Sequence, residues 1–290
     1  MDGAYELVDC GSGRRLEQVG PWLLDRPAPG ASEPRRDPGA WAAAITYRGG
    51  RGWAAVDGGP PPDDETAVSI AGVRLLAGLA TRGQVGLFPE HSANAGWLHA
   101  AVRRRIDPPV GEPPTVLNLF AYTGLLTLVA ARAGAAVTHV DASKPAVAWA
   151  RRNAVASSLE ESPIRWIVDD AAAFVRREAR RGRRYAGLVL DPPSYGHGGG
   201  EGRTGAFRFE HDIDDLLAAC LAVAMPDAFW LVSTHTIGWD ARRLGAAVAG
   251  GLGVHAREVT EVPLGLDARS GAHLSLGASV RFDPLEPQLR

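Results

Sequence analysis

The sequence predicts an α/β protein: a doubly wound, mostly parallel sheet of seven strands with helices on both faces, preceded by a small β-rich domain. Three observations carry this reading. From residue 115 onward, short apolar runs alternate with stretches of helical spacing, which specifies parallel strands covered by helices. After five such units the pattern changes to two extended runs, 255–262 and 273–282, joined by 263–271, so the sheet ends in a hairpin. Residues 1 to 85 differ in texture, being dense in glycine, proline and tryptophan, with short apolar runs cut by turns. The expected domains are therefore 1–85, β-rich and accessory, and 86–290, which carries the chemistry.

In the first domain the apolar runs are 5–8, 22–24, 43–47, 53–56 and 68–70, and a polar, proline-rich loop covers 26–38. Phe88-Pro89-Glu90 is a strand-to-turn signal, and 94–106 reads as a helix ending before Asp107-Pro108-Pro109. Its last turn carries Arg103-Arg104-Arg105. Such a run is either a solvated end favoured by the helix dipole or a contact for a nucleic-acid backbone.

Strands then follow at 116–119, 136–140, 164–168, 186–190 and 228–233, with helices at 124–133, 144–156, 170–180, 211–224 and 239–250. The stretch 115–124, TVLNLFAYTG, is a buried strand and a small-residue turn. It opens a helix whose first N–H groups point at any ligand lying there. Asp141 ends the second strand, where an acidic side chain can accept from ribose hydroxyls. The fourth ends in Asp191-Pro192-Pro193-Ser194-Tyr195. In a doubly wound sheet these strand ends meet at one crevice.

Composition bounds the partners. The 290 residues are 46% hydrophobic and 22% charged with a net charge of −2, so no global basic field advertises nucleic-acid binding. Lys144 is the only lysine. The first fifteen residues contain no apolar signal core. The longest apolar stretch, 216–232, is broken by Pro226-Asp227 and cannot span a membrane. Cys10 and Cys220 are too few for a disulfide framework or a metal site. The expectation is a cytoplasmic protein with no membrane partner and no metal; its oligomeric state is left open.

Asn118-Leu119-Phe120-Ala121-Tyr122-Thr123-Gly124, Asp141-Ala142-Ser143, Asp169-Asp170 and Asp191-Pro192-Pro193-Ser194-Tyr195 together resemble the SAM-dependent methyltransferases that modify bacterial large-subunit rRNA. The chain is similar to a branch with GLFPE before the fold (86–90), a glycine-rich stretch after DPP (196–205) and a GLD segment in the last hairpin (265–267). The resemblance implies the class I methyltransferase fold, with its seven-stranded Rossmann-like sheet, and S-adenosyl-L-methionine (SAM) as cofactor. It implies that Asn118 and Phe120, Ala121, Tyr122, Thr123 and Gly124 surround the methionine part. Asp141 holds the ribose diol, with Ala142 and Ser143 beside it. Asp170 accepts from the adenine amino group, and Ala171 offers its backbone N–H. Phe88 and Glu90 join the cofactor-binding set. Asp170 is equally well placed as a helix N-cap, and the two roles are compatible.

Asp191 borders both cofactor and acceptor. Methyl transfer to nitrogen needs a lone pair aimed at the methyl carbon, so most of the catalysis is positioning. Asp191 and the carbonyl of Pro192 can hold an exocyclic amine while Tyr195 packs on the base. The usual amino-methylating pattern has its aromatic residue directly after the prolines, whereas Ser194 intervenes here. Cytosine-C5 members carry a nucleophilic cysteine after the fifth strand; this chain has Ser233-Thr234-His235-Thr236, which argues against that chemistry. His235 is either a base or substrate contact in its place, or a plain hydrogen-bonding histidine. His197 and the glycines 198–200 suggest a lid.

The expected activity is thus methyl transfer to a base of RNA without a cysteine nucleophile. A methyltransferase for a small molecule is the alternative. A nicotinamide oxidoreductase needs G-x-G-x-x-G after the first strand, and here only the last glycine is present. A silent SAM-binding module rests on the missing cysteine alone.

Overall fold

The first strands form where apolar runs lie between turn glycines, and also where the sequence is charged. In the computed structural model, β1 (Tyr5–Gly11), β2 (Arg14–Val19), β3 (Trp22–Pro27), β4 (Ile45–Tyr47) and β5 (Trp53–Ala54) make one sheet in that order. The strands β6 (Thr66–Ile70) and β7 (Val73–Ala77) make a separate antiparallel hairpin. The sequence RRLEQV of β2 gives no apolar signal, yet it is the inner strand between β1 and β3. Its charge is neutralised internally: Glu17 is fully buried, bidentate to Arg26, and accepts from the Tyr5 hydroxyl at 2.7 Å. Burial raises the Glu17 pKa, but Arg26 and Arg15 outweigh it and the carboxyl stays below its usual range.

The structure describes residues 3–80, 82–106, 111–196 and 207–286, which fall into two compact units. The first takes in the described residues up to Ser92, with Arg152–Ser157 and Leu264–Leu276. Ala268, Ala272 and Leu274 of the last hairpin pack there against Leu7, Cys10, Ala28 and Ala31. Asn153 accepts from the backbone N–H of Leu76. Composition put the domain boundary at 85/86 and could not show these two later segments, because each is short.

The second unit follows the predicted alternation closely. Its elements are α1 (Ser92–Arg103), β8 (Thr115–Leu119), α2 (Leu125–Arg132), β9 (Ala136–Asp141), α3 (Lys144–Ala156), β10 (Ile164–Val168) and α4 (Ala171–Arg180). They are followed by β11 (Tyr185–Leu190), α5 (Phe209–Leu221), β12 (Ala224–Thr234), α6 (Ala241–Leu252), β13 (Thr260–Asp267) and β14 (His273–Phe282), the end of α3, the end of β13 and the start of β14 being counted with the first unit. The seven strands run β10-β9-β8-β11-β12-β14-β13, parallel through β12, with β14 antiparallel to it. All six residues of β11 are buried, as a central parallel strand covered on both faces requires. The order reverses at β8, whose neighbours β9 and β11 leave a crevice at their carboxyl ends.

Several predicted boundaries move: the helix expected at 94–106 runs Ser92–Arg103, and the extended run expected at 255–262 lies at Thr260–Asp267, taking in part of the expected connection. The helix expected at 211–224 ends at Leu221, and the strand expected from 228 begins at Ala224. Ala224 pairs with Tyr185 and Phe229 with Gly187, so Met225, Pro226, Asp227 and Ala228 bulge from the ladder, Pro226 and Asp227 exposed. A proline there loses no ladder hydrogen bond. The arginine run at the end of α1 differs more. Arg104 and Arg105 both grip the Asp283 carboxylate, whose side chain has no exposure, and Arg105 also donates to the Asp227 carbonyl. Two of the three arginines are therefore neither a solvated helix end nor a surface held ready for a nucleic acid. No helix among the described residues is long and apolar enough to cross a membrane.

Asp283 should matter for stability. Asp283→Asn leaves Arg105, with only 4% of its side chain exposed, facing a neutral amide. The loss should be on the order of 3 kcal/mol, read from urea unfolding. Burial raises the Asp283 pKa, but hydrogen bonds from Arg105 and Arg104 bring it below normal. Its contribution is therefore present above about pH 4 and fades as pH falls further, so the gap between wild type and variant should close in acid.

Candidate active site

The crevice begins at the turn between β8 and α2. Phe120 and Tyr122 stand there at φ +56° and +47°, in the left-handed region that side chains enter only at a cost. Gly124 follows at φ +90° as the N-cap of α2, and no side chain caps this helix. A Cβ at Gly124 would lie 3.1 Å from the Ala150 Cβ, so the position needs glycine for both backbone and space. The turn is tied down by Ala121 donating to the Val140 carbonyl and Gly124 to the Ala121 carbonyl.

Asp141, ending β9, braces the turn from the side. Its Oδ2 accepts from the Tyr122 N–H and its Oδ1 from the Ser143 N–H, each at 2.8 Å. Burial raises its pKa, partly offset by these two bonds. Each oxygen keeps a second lone pair, so the carboxylate can still accept two hydroxyls. Ser143 in turn accepts from Ala146 and starts α3, and Ala142 is exposed beside it. Asp170 is the N-cap of α4, accepting from Ala173 at 2.8 Å; Ala171 is buried as the first helical residue. Asp169 is ion-paired with Arg177.

Asn118 takes a different place. Its side chain is buried and donates to Thr127, whose hydroxyl also meets His139 Nδ1 at 2.9 Å. Burial, with Arg151 adding to it, lowers the His139 pKa to about 3, so the ring is neutral. This polar cluster supports the turn from beneath.

The carboxyl ends of β11 and β12 form the other wall. Ser233 donates to Asp191 Oδ1 at 2.6 Å, and His235 Nε2 lies 3.6 Å from the same oxygen. Thr236 donates to Ser194 at 3.0 Å and receives from Thr234 at 2.9 Å. Pro192 is buried, while Tyr195 is 73% exposed and pairs in a short bridge with Arg208. Phe207 packs on Phe120, ring centroids 5.2 Å apart. The proposed lid, His197 with glycines 198–200, lies outside the described residues.

Of the expected site residues, Phe120 to Gly124 and Asp141 to Ser143 share the turn, and Asp191 and His235 share one carboxylate oxygen. Phe88 and Glu90 belong to the first unit, where residues Pro89–His91 form a 3-10 turn and Glu90 is buried. Sequence reasoning overlooked Ser233, Thr236, Thr127 and Phe207. Ser233 and Thr236 were in view as neighbours of His235, but hydroxyls carry no periodic signal. Both cysteines are buried, and burial pushes both thiols up, Cys220 far out of the physiological range.

Comparison with known proteins agrees with this geometry. No family model matches the chain. It is 32% identical over 151 residues to ribosomal RNA large subunit methyltransferase K/L of Methylococcus capsulatus, covering 52% of this chain and 19% of that one. It is 28% identical over 165 residues to ribosomal RNA large subunit methyltransferase I of Aeromonas salmonicida, covering 57% and 39%. The chain thus spans well under half the length of these curated relatives. Among solved structures, a Streptococcus mutans protein assigned as a SAM-dependent methyltransferase shares the fold, with TM-score 0.72, 16% identity, and coverage of 96% of this chain and 74% of that one. The SAM-dependent methyltransferase of Agrobacterium tumefaciens superposes with TM-score 0.86 and 32% identity, covering 97% of this chain and 91% of that one. With similarity of that extent, the crevice at the ends of β8, β9 and β11 belongs to an enzyme, and the chain is a member of the SAM-dependent methyltransferases.

Proposed function

We propose that this enzyme methylates a base of RNA, with Asp191 holding the acceptor and no cysteine nucleophile. The observation that carries the acceptor role is the Asp191 carboxylate, braced by Ser233 with His235 beside it, one strand away from the turn that faces the cofactor. Support for RNA comes from the curated relatives, which are named as large-subunit rRNA methyltransferases.

The residues of the turn fit the cofactor. The strained Phe120–Tyr122 backbone and the glycine at 124 bring main chain close to the crevice, and Asp141 retains the lone pairs that a ribose diol needs. Bound there, SAM supplies an electrophilic methyl group. The protein's part is to hold an acceptor nitrogen in line with it. Asp191 accepts an N–H from the acceptor, raising its nucleophilicity. The carbonyl of Pro192 accepts a second, and the exposed Tyr195 ring offers a face for the base to stack on. His235, next to Asp191 Oδ1, is placed to take up the released proton. Neither thiol contributes, because both are buried and protonated.

Asp141→Ala should weaken binding of S-adenosylhomocysteine about ten- to hundredfold in titration calorimetry, as hydrogen bonds to a charged partner contribute roughly 1.5–3 kcal/mol. An unchanged affinity would remove Asp141 from the ribose site. Cys220→Ser and Cys10→Ser should retain activity wherever the fold survives. A covalent adduct trapped between Cys220 and 5-fluorocytosine RNA would contradict the mechanism. The substrate is tested by mass spectrometry of rRNA nucleosides from a deletion strain. One methylated nucleoside should disappear, return with the wild-type chain and stay absent with Asp191→Ala. An unchanged nucleoside profile would point to a small-molecule acceptor.

A further inference from the structure

We propose that Ser233 is a positioning residue for methyl transfer, and that the segment Ser233-Thr234-His235-Thr236 holds the acceptor loop in register by hydroxyl contacts. This rests on the acceptor role given to Asp191 above. Three observations carry it. First, the Ser233 hydroxyl is 1% exposed and reaches Asp191 Oδ1 at 2.6 Å, with the Leu190 carbonyl farther off at 3.3 Å. A hydroxyl has one proton to give, and the short contact to a carboxylate is the stronger claim on it. Holding Oδ1 restricts rotation of the carboxylate, and with it the directions in which Oδ2 presents its lone pairs.

Second, the same strand end holds the loop again three residues on. Thr236 donates to the Ser194 hydroxyl, and Thr234 both donates to the Thr236 hydroxyl and accepts from its backbone N–H. Ser194 is the residue by which DPPSY departs from the pattern of prolines followed at once by an aromatic ring. Here it is an anchor, and Tyr195 beyond it stands out into solvent.

Third, the strand end itself is fixed. Val232, Ser233 and Thr234 pair with Val280, Ser279 and Ala278 of β14. Gly277, at φ +146°, sits where a Cβ would be 2.1 Å from the Thr234 carbonyl oxygen. A buried, doubly flanked strand is a rigid place from which to aim a loop side chain.

The test is a double-mutant cycle on purified enzyme, with rRNA from the deletion strain as acceptor. Ser233→Ala should lower kcat between about tenfold and a hundredfold, leaving KM for RNA and the Kd for S-adenosylhomocysteine within a few-fold. Ser233→Thr, which keeps the hydroxyl, should recover most of the rate. In an Asp191→Asn background, Ser233→Ala should cost almost nothing further, because its action passes through the carboxylate. Equal losses in both backgrounds, or a Ser233→Ala enzyme at full rate, would overturn the proposal. So would a fully active Asp191→Asn enzyme, but that outcome would first remove the acceptor role of Asp191. Thr236→Val should give a smaller fall in kcat; no fall would confine the positioning to Ser233.

Discussion

The turn after β8 is strained, and the crevice depends on what holds it. Two non-glycine residues in the left-handed region cost about 1–3 kcal/mol each. Asp141 offsets part of that cost from outside with one charge-assisted bond from the Tyr122 N–H at 2.8 Å, contributing roughly 1.5–3 kcal/mol, while a second from Ser143 holds the carboxylate itself. The Asn118–Thr127–His139 cluster supports it from beneath. One carboxylate therefore shapes the turn and, in the proposed site, is also offered to the cofactor. Removing it has two consequences at once.

The far wall follows another logic. Asp191 is held by the Ser233 hydroxyl of the neighbouring strand, and that strand is pinned by the antiparallel β14. The last hairpin of the sheet backs the strand that carries Ser233 and leads into Thr236. In the mechanism proposed for Asp191, rigidity relayed in this way takes the place of a covalent nucleophile.

Much of this was legible in the sequence. The buried parallel strands read as apolar runs ended by aspartates, and Asp141 and Asp191 sit at the carboxyl ends of β9 and just past β11 as expected. The N-cap at Asp170 was visible in its Asp-Ala-Ala-Ala start. What could not be read had specific causes. Strand β2 hid because its charges are met across the sheet, Glu17 by Arg26 and Tyr5 and Arg14 by Asp25, pairings that only the strand register reveals. Arg104 and Arg105 looked available because their partner, Asp283, lies about 180 residues on. The bulge at Met225–Ala228 looked like a break because proline is read as an interruption, though an exposed strand start tolerates it. Ser233 and Thr236 carry no pattern that distinguishes a positioning hydroxyl from an ordinary one.

The proposed division of labour puts Asp141 on the cofactor and Asp191 on the acceptor. A crystal structure of the enzyme with S-adenosylhomocysteine tests it most directly. Both ribose hydroxyls should lie within hydrogen-bonding distance of the Asp141 carboxylate. The thioether sulfur should face the Asp191 side of the crevice, with Asp191 Oδ1 still bonded to Ser233. A ribose held elsewhere, or an Asp191 carboxylate bound to the cofactor in place of Ser233, would contradict it.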